Sequence, residues 1–154
     1  MQCYSDAMEF DRMTSAGYLV NNLARLLVEL LRKRIAPLGI VPGQFPALLA
    51  LWEKDGLTQK ELLATLDIEQ ATLANTLTRM ERDGLLTRKE HPADARARTI
   101  HLTEKGRSIR DAAHQAALQI NQDVLADLSD EETQAFLSYM QRVIGTIKAT
   151  QKPS

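Results

Sequence analysis

Residues 58–106 read TQKELLATLDIEQATLANTLTRMERDGLLTRKEHPADARARTIHLTEKG, and the fold is decided there. Thr58-Gln59-Lys60-Glu61 has the form of a capping box, in which hydroxyl and carboxylate satisfy orphan N–H groups at a helix start. It opens a short helix over residues 58–66, through Leu62, Leu63 and Leu66. Asp67-Ile68-Glu69 is a tight connection, and a second helix runs over residues 70–82 to a glycine stop at Asp83-Gly84. Residues 85–90 and 98–102 alternate as short strands around a polar tip, 91–97, that contains Pro92. Two helices joined by a short turn and followed at once by a hairpin make a winged helix-turn-helix, whose second helix can enter a major groove.

Leu73, Leu77 and Met80 recur at i, i+4 and i+7 and define the buried face of that second helix. The opposite face carries Ala71, Asn75, Thr78, Arg79 and Arg82. These side chains suit DNA: asparagine pairs with adenine, arginine with guanine or phosphate, and alanine or a threonine methyl meets thymine methyls. Gln70 and the small Ala71 and Ala74 near the helix start let the backbone approach a groove. In the hairpin, Arg88, Lys89, Arg96 and Arg98, continued by Lys105, Arg107 and Arg110, outnumber Glu90, Asp94 and Glu104. An arginine on the tip, Arg96, can enter a minor groove where negative potential is focused. Asp94, two residues earlier, is expected to orient its guanidinium.

Outward from this lobe the chain is helical. Leu19, Leu23, Leu26, Leu27, Leu30 and Leu31 mark a first helix over residues 9–35, with Val20 and Val28 widening its apolar surface beyond one stripe. Ala36-Pro37-Leu38-Gly39 ends it, and a second helix begins near Pro42. Thr103-Glu104-Lys105-Gly106 opens one long helix through Val124; Ser129-Asp130-Glu131-Glu132 caps a final amphipathic helix ending near Ala149. The expected architecture is mainly α with a small β-hairpin wing. The winged helix-turn-helix lobe spans 42–103, long N- and C-terminal dimerisation helices lie at 9–36 and 104–149, and the termini at 1–8 and 150–154 are loose.

Composition limits the alternatives. The chain has 154 residues and a formal net charge of −1, so any attraction to DNA has to come from local charge. Its one cysteine, Cys3, excludes an intramolecular disulfide and suits a reducing cytoplasm. No apolar run reaches the ~20 residues of a membrane span, and no signal-peptide layout is present. The 3 histidines, His91, His101 and His114, show no metal-ligand spacing. There is no phosphate loop or nucleophile elbow, so neither an enzyme nor a cofactor is expected.

Residues 58–106 resemble the multiple antibiotic resistance regulator (MarR) family of winged-helix proteins. The matching residues are Thr58-Gln59-x-Glu61-Leu62, then Leu77-x-Arg79-Met80-Glu81-x-x-Gly84-Leu85-Leu86-x-Arg88, Asp94-x-Arg96 and Leu102-Thr103-Glu104-Lys105-Gly106. Ala95 stands where many members carry a basic residue, and Asn75 where some carry arginine. The resemblance implies a homodimer, a double-stranded inverted-repeat operator and, often, release by a small ligand. An effector would have to sense the spacing of the two lobes, which points to Tyr18, Asn22, Arg25, Trp52 and His114 as pocket walls and, through Arg25, to a small anionic aromatic acid. The alternative is a winged-helix protein–protein module with no DNA target.

Overall fold

The computed structural model describes residues 10–151; residues 1–9, with Cys3 and the expected helix start at Glu9, and residues 152–154 lie outside them. Thr150, expected in a loose terminus, is the last residue of a helix capped by Gln151. The chain divides into two compact units, Met1–Ala116 and Ala117–Ser154.

In the first unit, helix α1 spans Ala16–Ile35. It starts later than the apolar pattern predicts, because Asp11 and Ser15 each cap a local start. The Asp11 carboxylate accepts the Met13 N–H at the head of a 3₁₀ turn, Arg12–Thr14, and Ser15 Oγ accepts the Tyr18 N–H. After Gly39, at φ 74°, the second helix also starts later than expected. Pro42–Gln44 is a 3₁₀ turn, and the α-helix proper, α2, is Phe45–Glu53.

Strand β1, Leu57–Thr58, is too short to alternate and was not foreseen. Its Thr58 doubles as the cap of α3, Gln59–Thr65, where the Thr58 N–H donates to Glu61 Oε2 at 2.8 Å and Thr58 Oγ1 accepts the Glu61 N–H at 3.2 Å. Helix α4 follows at Gln70–Arg82, then β2, Leu86–Glu90, and β3, Arg98–Leu102. The sheet is antiparallel in the order β1-β3-β2, with Leu57 opposite Ile100 and Leu86 opposite Leu102. Leu48, Leu51, Leu62, Leu73, Leu77, Met80, Leu85, Leu86 and Ile100 are fully buried. At about 1.5–3 kcal/mol for each large apolar side chain, this shared core is what sets α4 and the wing on one frame.

The single long helix expected after Thr103 is two: α5, Glu104–Ser108, and α6, Arg110–Val124. The Ser108 hydroxyl donates to the Lys105 carbonyl at 2.9 Å. That carbonyl is the acceptor an uninterrupted helix would offer to the Ile109 N–H, and Ile109 is the residue at which the two helices part.

The chain leaving α4 is clamped by α5. Gly84 takes φ 73°, and the Leu85 N–H returns to the Met80 carbonyl at 2.9 Å. Lys105 Nζ then donates to the Asp83 carbonyl at 2.9 Å, Thr103 Oγ1 to the Gly84 carbonyl at 2.6 Å, and the Thr103 N–H to the Leu85 carbonyl at 3.0 Å. This close approach requires Gly106, since a Cβ there would run into the Leu85 carbonyl oxygen.

In the second unit, α7 spans Asp130–Thr150 and carries a full capping box between Ser129 and Glu132. None of its residues is buried. No single helix among the described residues is long and apolar enough to cross a membrane.

Gly106→Ala should lower unfolding free energy by about 1–3 kcal/mol, the usual scale of overpacking. Equilibrium denaturation with an unchanged m-value is the measurement, and a melting curve equal to wild type would contradict the close approach.

Candidate nucleic-acid interface

Helix α4 separates its residues by face. Leu73, Leu77 and Met80 are wholly buried, while Gln70, Ala71, Asn75, Thr78, Arg79 and Arg82 are exposed and Ala74 is half-buried. The Thr78 hydroxyl donates to the Ala74 carbonyl at 3.0 Å. The hydroxyl proton is therefore taken within the helix, leaving the methyl and the oxygen lone pairs for contact.

Beside this face stands the wing. The His91 N–H donates to the Ala97 carbonyl and the Ala97 N–H to the Asp94 carbonyl, both at 3.1 Å. His91 Nδ1 accepts the Ala93 N–H at 3.1 Å, and Asp94 Oδ1 accepts the Arg96 N–H at 3.0 Å. Asp94 thus holds the backbone of Arg96 in a side-chain-closed turn. The expectation that it holds the guanidinium is corrected: a carboxylate two residues upstream reaches the amide before the distal end of a long side chain. Arg96 and Arg98 are both exposed.

An open cleft of about 650 Å³ lies between α4 and the wing, walled by Ala74 and Thr78 on one side and His91, Arg96 and Arg98 on the other, with Lys60 at its edge. Arg88 lines it too, and its Nη1 bonds Glu81 Oε2 on α4 at 3.1 Å. At 21% exposure the Arg88 side chain is shielded more than a surface cation, so the pair can brace wing against helix. Arg88 counts among the hairpin cations in the sequence, but its pairing with Glu81 and the place of Lys60 beside the cleft are not legible there. Glu81 and Arg88 are seven residues apart across the end of a helix, where no single periodicity relates them.

At the foot of α4, Asp83 collects donors from two sides. Gln44 Nε2 donates to Oδ2 and Arg82 Nε to Oδ1, each at 3.0 Å. The hydrogen bond from Arg82, then that from Gln44, holds the Asp83 carboxyl below the ordinary aspartate value. Gln44 is 4% exposed. The signal that could have found it is an amide side chain inside the apolar run Val41-Pro42-Gly43-Gln44-Phe45.

The residues expected to wall an effector pocket form two sets. On α1, Arg25 Nη2 donates to Asn22 Oδ1 at 3.0 Å, and the Arg12 guanidinium lies over the Tyr18 ring at 5.9 Å. Separately, Trp52 meets Phe45 and His114 edge-on, with ring centroids 6.2 and 5.2 Å away, and its indole N–H donates to the Gly106 carbonyl at 2.9 Å. Trp52 is thereby tied into the lobe's packing, with its one polar group satisfied. Among the described residues, no three His, Cys, Asp or Glu side chains gather as metal ligands.

The MarR family model matches residues 40–97, which covers α2, the helix pair and the first wing strand. The organic hydroperoxide resistance transcriptional regulator of Bacillus subtilis is 35% identical over 108 residues, 68% of this chain and 74% of its own length. The chain belongs to the MarR family. A probable transcriptional regulator from Pseudomonas aeruginosa superposes with a TM-score of 0.80 at 26% identity, covering 86% of this chain and 99% of that one. Reduced AbfR, solved bound to DNA, gives 0.74 at 25% identity, covering 88% and 92%. Membership of the MarR family accounts for the winged helix-turn-helix between longer helices.

Because the folded-state pKa of Asp83 is depressed, its contribution to stability is fully present above the unfolded value near 3.8. It is lost as pH falls through the lower folded value. Asp83→Asn should therefore lower stability at pH 7 and flatten the acid limb of the stability–pH curve. Denaturant titrations between pH 2 and pH 7 measure both effects.

Proposed function

We infer that this DNA-binding transcriptional regulator of the MarR family reads an inverted-repeat operator as a homodimer and acts as a ligand-responsive repressor. The observation that carries the reading is the exposed face of α4, with Asn75, Thr78 and Arg79 uncovered, standing beside a side-chain-braced wing that presents Arg96 and Arg98. Asn75, Thr78 and Arg79 read bases in the major groove, with Gln70, Ala71 and Ala74 at the helix start approaching its edge. Arg96 enters the adjacent minor groove, and Arg98 meets the phosphate backbone.

Dimerisation is supported by the apolar surface each unit leaves uncovered. On α1, Tyr18, Leu19, Val20, Leu26, Val28 and Leu30 are exposed; on α7, Leu137, Tyr139, Val143, Ile144 and Ile147 are. Patches of that kind on capped, regular helices mark association sites. A two-fold dimer would present two recognition helices to half-sites about one DNA turn apart. A ligand that favours a different lobe spacing would release the operator. The exposed Arg25 and the Trp52–His114 ring pair make a small anionic aromatic acid the class to try, with operator release as the readout.

Selection of bound duplexes from a random library tests the reading directly, since an enriched symmetric motif is required by it. A protein–protein module would enrich nothing and show no salt dependence, whereas phosphate contacts make log K fall linearly with log salt. Arg96→Ala should weaken binding to the selected operator by about 1–3 kcal/mol with unchanged melting. Unaltered affinity would remove the wing from the groove. Sedimentation at micromolar concentration should give twice the mass of the 17.2 kDa chain; a monomer would remove the basis for two-site binding.

A further inference from the structure

Gln44 is one of only two buried polar side chains among the described residues. Burying a carboxamide is unfavourable unless both its ends are satisfied. Here they are: Oε1 accepts the Val41 N–H at 3.2 Å and Nε2 donates to Asp83 Oδ2 at 3.0 Å. The amide cannot be reversed, because that would set NH₂ against an N–H and oxygen against a carboxylate. The link therefore has one orientation and one length, which an apolar contact would not fix.

Its location gives it a task. The Pro42–Gln44 turn packs against both α1 and α4. Asp83 is the residue at which α4 ends, and Arg82, on the exposed face, bonds the other oxygen of the same carboxylate. On the far side, Lys105 holds the Asp83 carbonyl. The C-terminal end of α4 is thus held from two directions, and among the described residues the side-chain hydrogen bond that joins the turn after α1 to that end is the one from Gln44.

We propose that Gln44 is a positioning residue for DNA reading: its carboxamide fixes the end of α4 against the turn that follows α1, and so sets the angle at which the exposed face of α4 meets the groove. This rests on the functional reading above. Non-specific attraction to phosphates tolerates a change of angle, whereas contacts to base edges do not. Loss of the link should therefore lower the ratio of operator to non-specific affinity and leave the non-specific affinity as it was. A role confined to stability would move neither quantity in protein that remains folded.

The test uses the full chain as wild type, Gln44→Met, Gln44→Glu, and Gln44→Glu combined with Asp83→Asn. Methionine keeps the length and removes both bonds. Glutamate alone sets two carboxylates against each other. The double substitution rebuilds the link with donor and acceptor exchanged, since an asparagine amide can donate to the new carboxylate while its carbonyl still accepts from Arg82. Affinities are measured by anisotropy for the operator selected with wild type and for a scrambled duplex of equal length, at a temperature where circular dichroism shows each protein folded. Both single substitutions should cut the operator-to-scrambled ratio by about tenfold, on the order of one lost buried hydrogen bond, and the double substitution should restore it. A ratio unchanged in folded Gln44→Met overturns the proposal. So does a double variant that melts like wild type yet keeps the lowered ratio, and this comparison stands even if Gln44→Met fails to fold. A wild type with no preference between the duplexes overturns the functional reading, and this inference with it.

Discussion

The carbonyl groups at the end of a helix have no partners within the helix, and this constraint organises the DNA-reading lobe. At the end of α4 the N–H groups of Asp83, Gly84 and Leu85 turn back to the carbonyls of Arg79, Glu81 and Met80, which leaves the carbonyls of Asp83, Gly84 and Leu85 themselves to be matched from elsewhere. Lys105 and Thr103 answer all three. To do so, the segment after the wing must return across the root of the wing and lie against the end of α4. The hairpin is thereby closed at its base by bonds to the turn in which the helix ends. Wing and helix are consequently one rigid piece, with the Arg88–Glu81 pair as a second strut. Gly106 is the steric condition of that return, and Trp52, bonded to its carbonyl, carries the constraint into α2.

Rigidity of this sort suits a protein whose overall charge is −1. A strongly basic protein can rely on diffuse attraction to bring it to DNA. On the proposed reading the attraction comes from a few cations on α4 and the wing, and they act together only if their spacing is fixed before DNA arrives. The wing tip is built accordingly: its turn is closed by Asp94 and His91 through backbone amides, so Arg96 projects from an ordered loop.

Most of this was legible in the sequence because it rests on local chemistry. The buried stripe Leu73, Leu77, Met80 gave the phase of α4; the capping boxes at Thr58 and Ser129 gave helix starts; Asp83-Gly84 gave a stop. What could not be read had non-local or competing causes. The start of α1 was placed too early because the apolar pattern does not register that Asp11 and Ser15 compete for nearby amides. The break at Ile109 has no proline to mark it. Strand β1 has two residues and exists only because β3 lies beside it. Gln44 meets Asp83 only in the folded chain, and the same is true of the cleft walls. Asp94 was recognised as a positioning residue, but its partner is an amide.

The two faces of α4 also differ in how freely they can change over generations. Asn75, Thr78 and Arg79 point away from the core, and exposed positions of this kind usually tolerate substitution within about ±0.5 kcal/mol. Leu73, Leu77, Met80, Asp83 and Gly84 have no such latitude, because each is buried or holds a joint. On the proposed reading, a lineage carrying this scaffold can therefore alter which DNA it favours without first acquiring compensating stability. Duplicated copies of the gene could diverge to serve new promoters while the frame beneath the reading face stayed as it is.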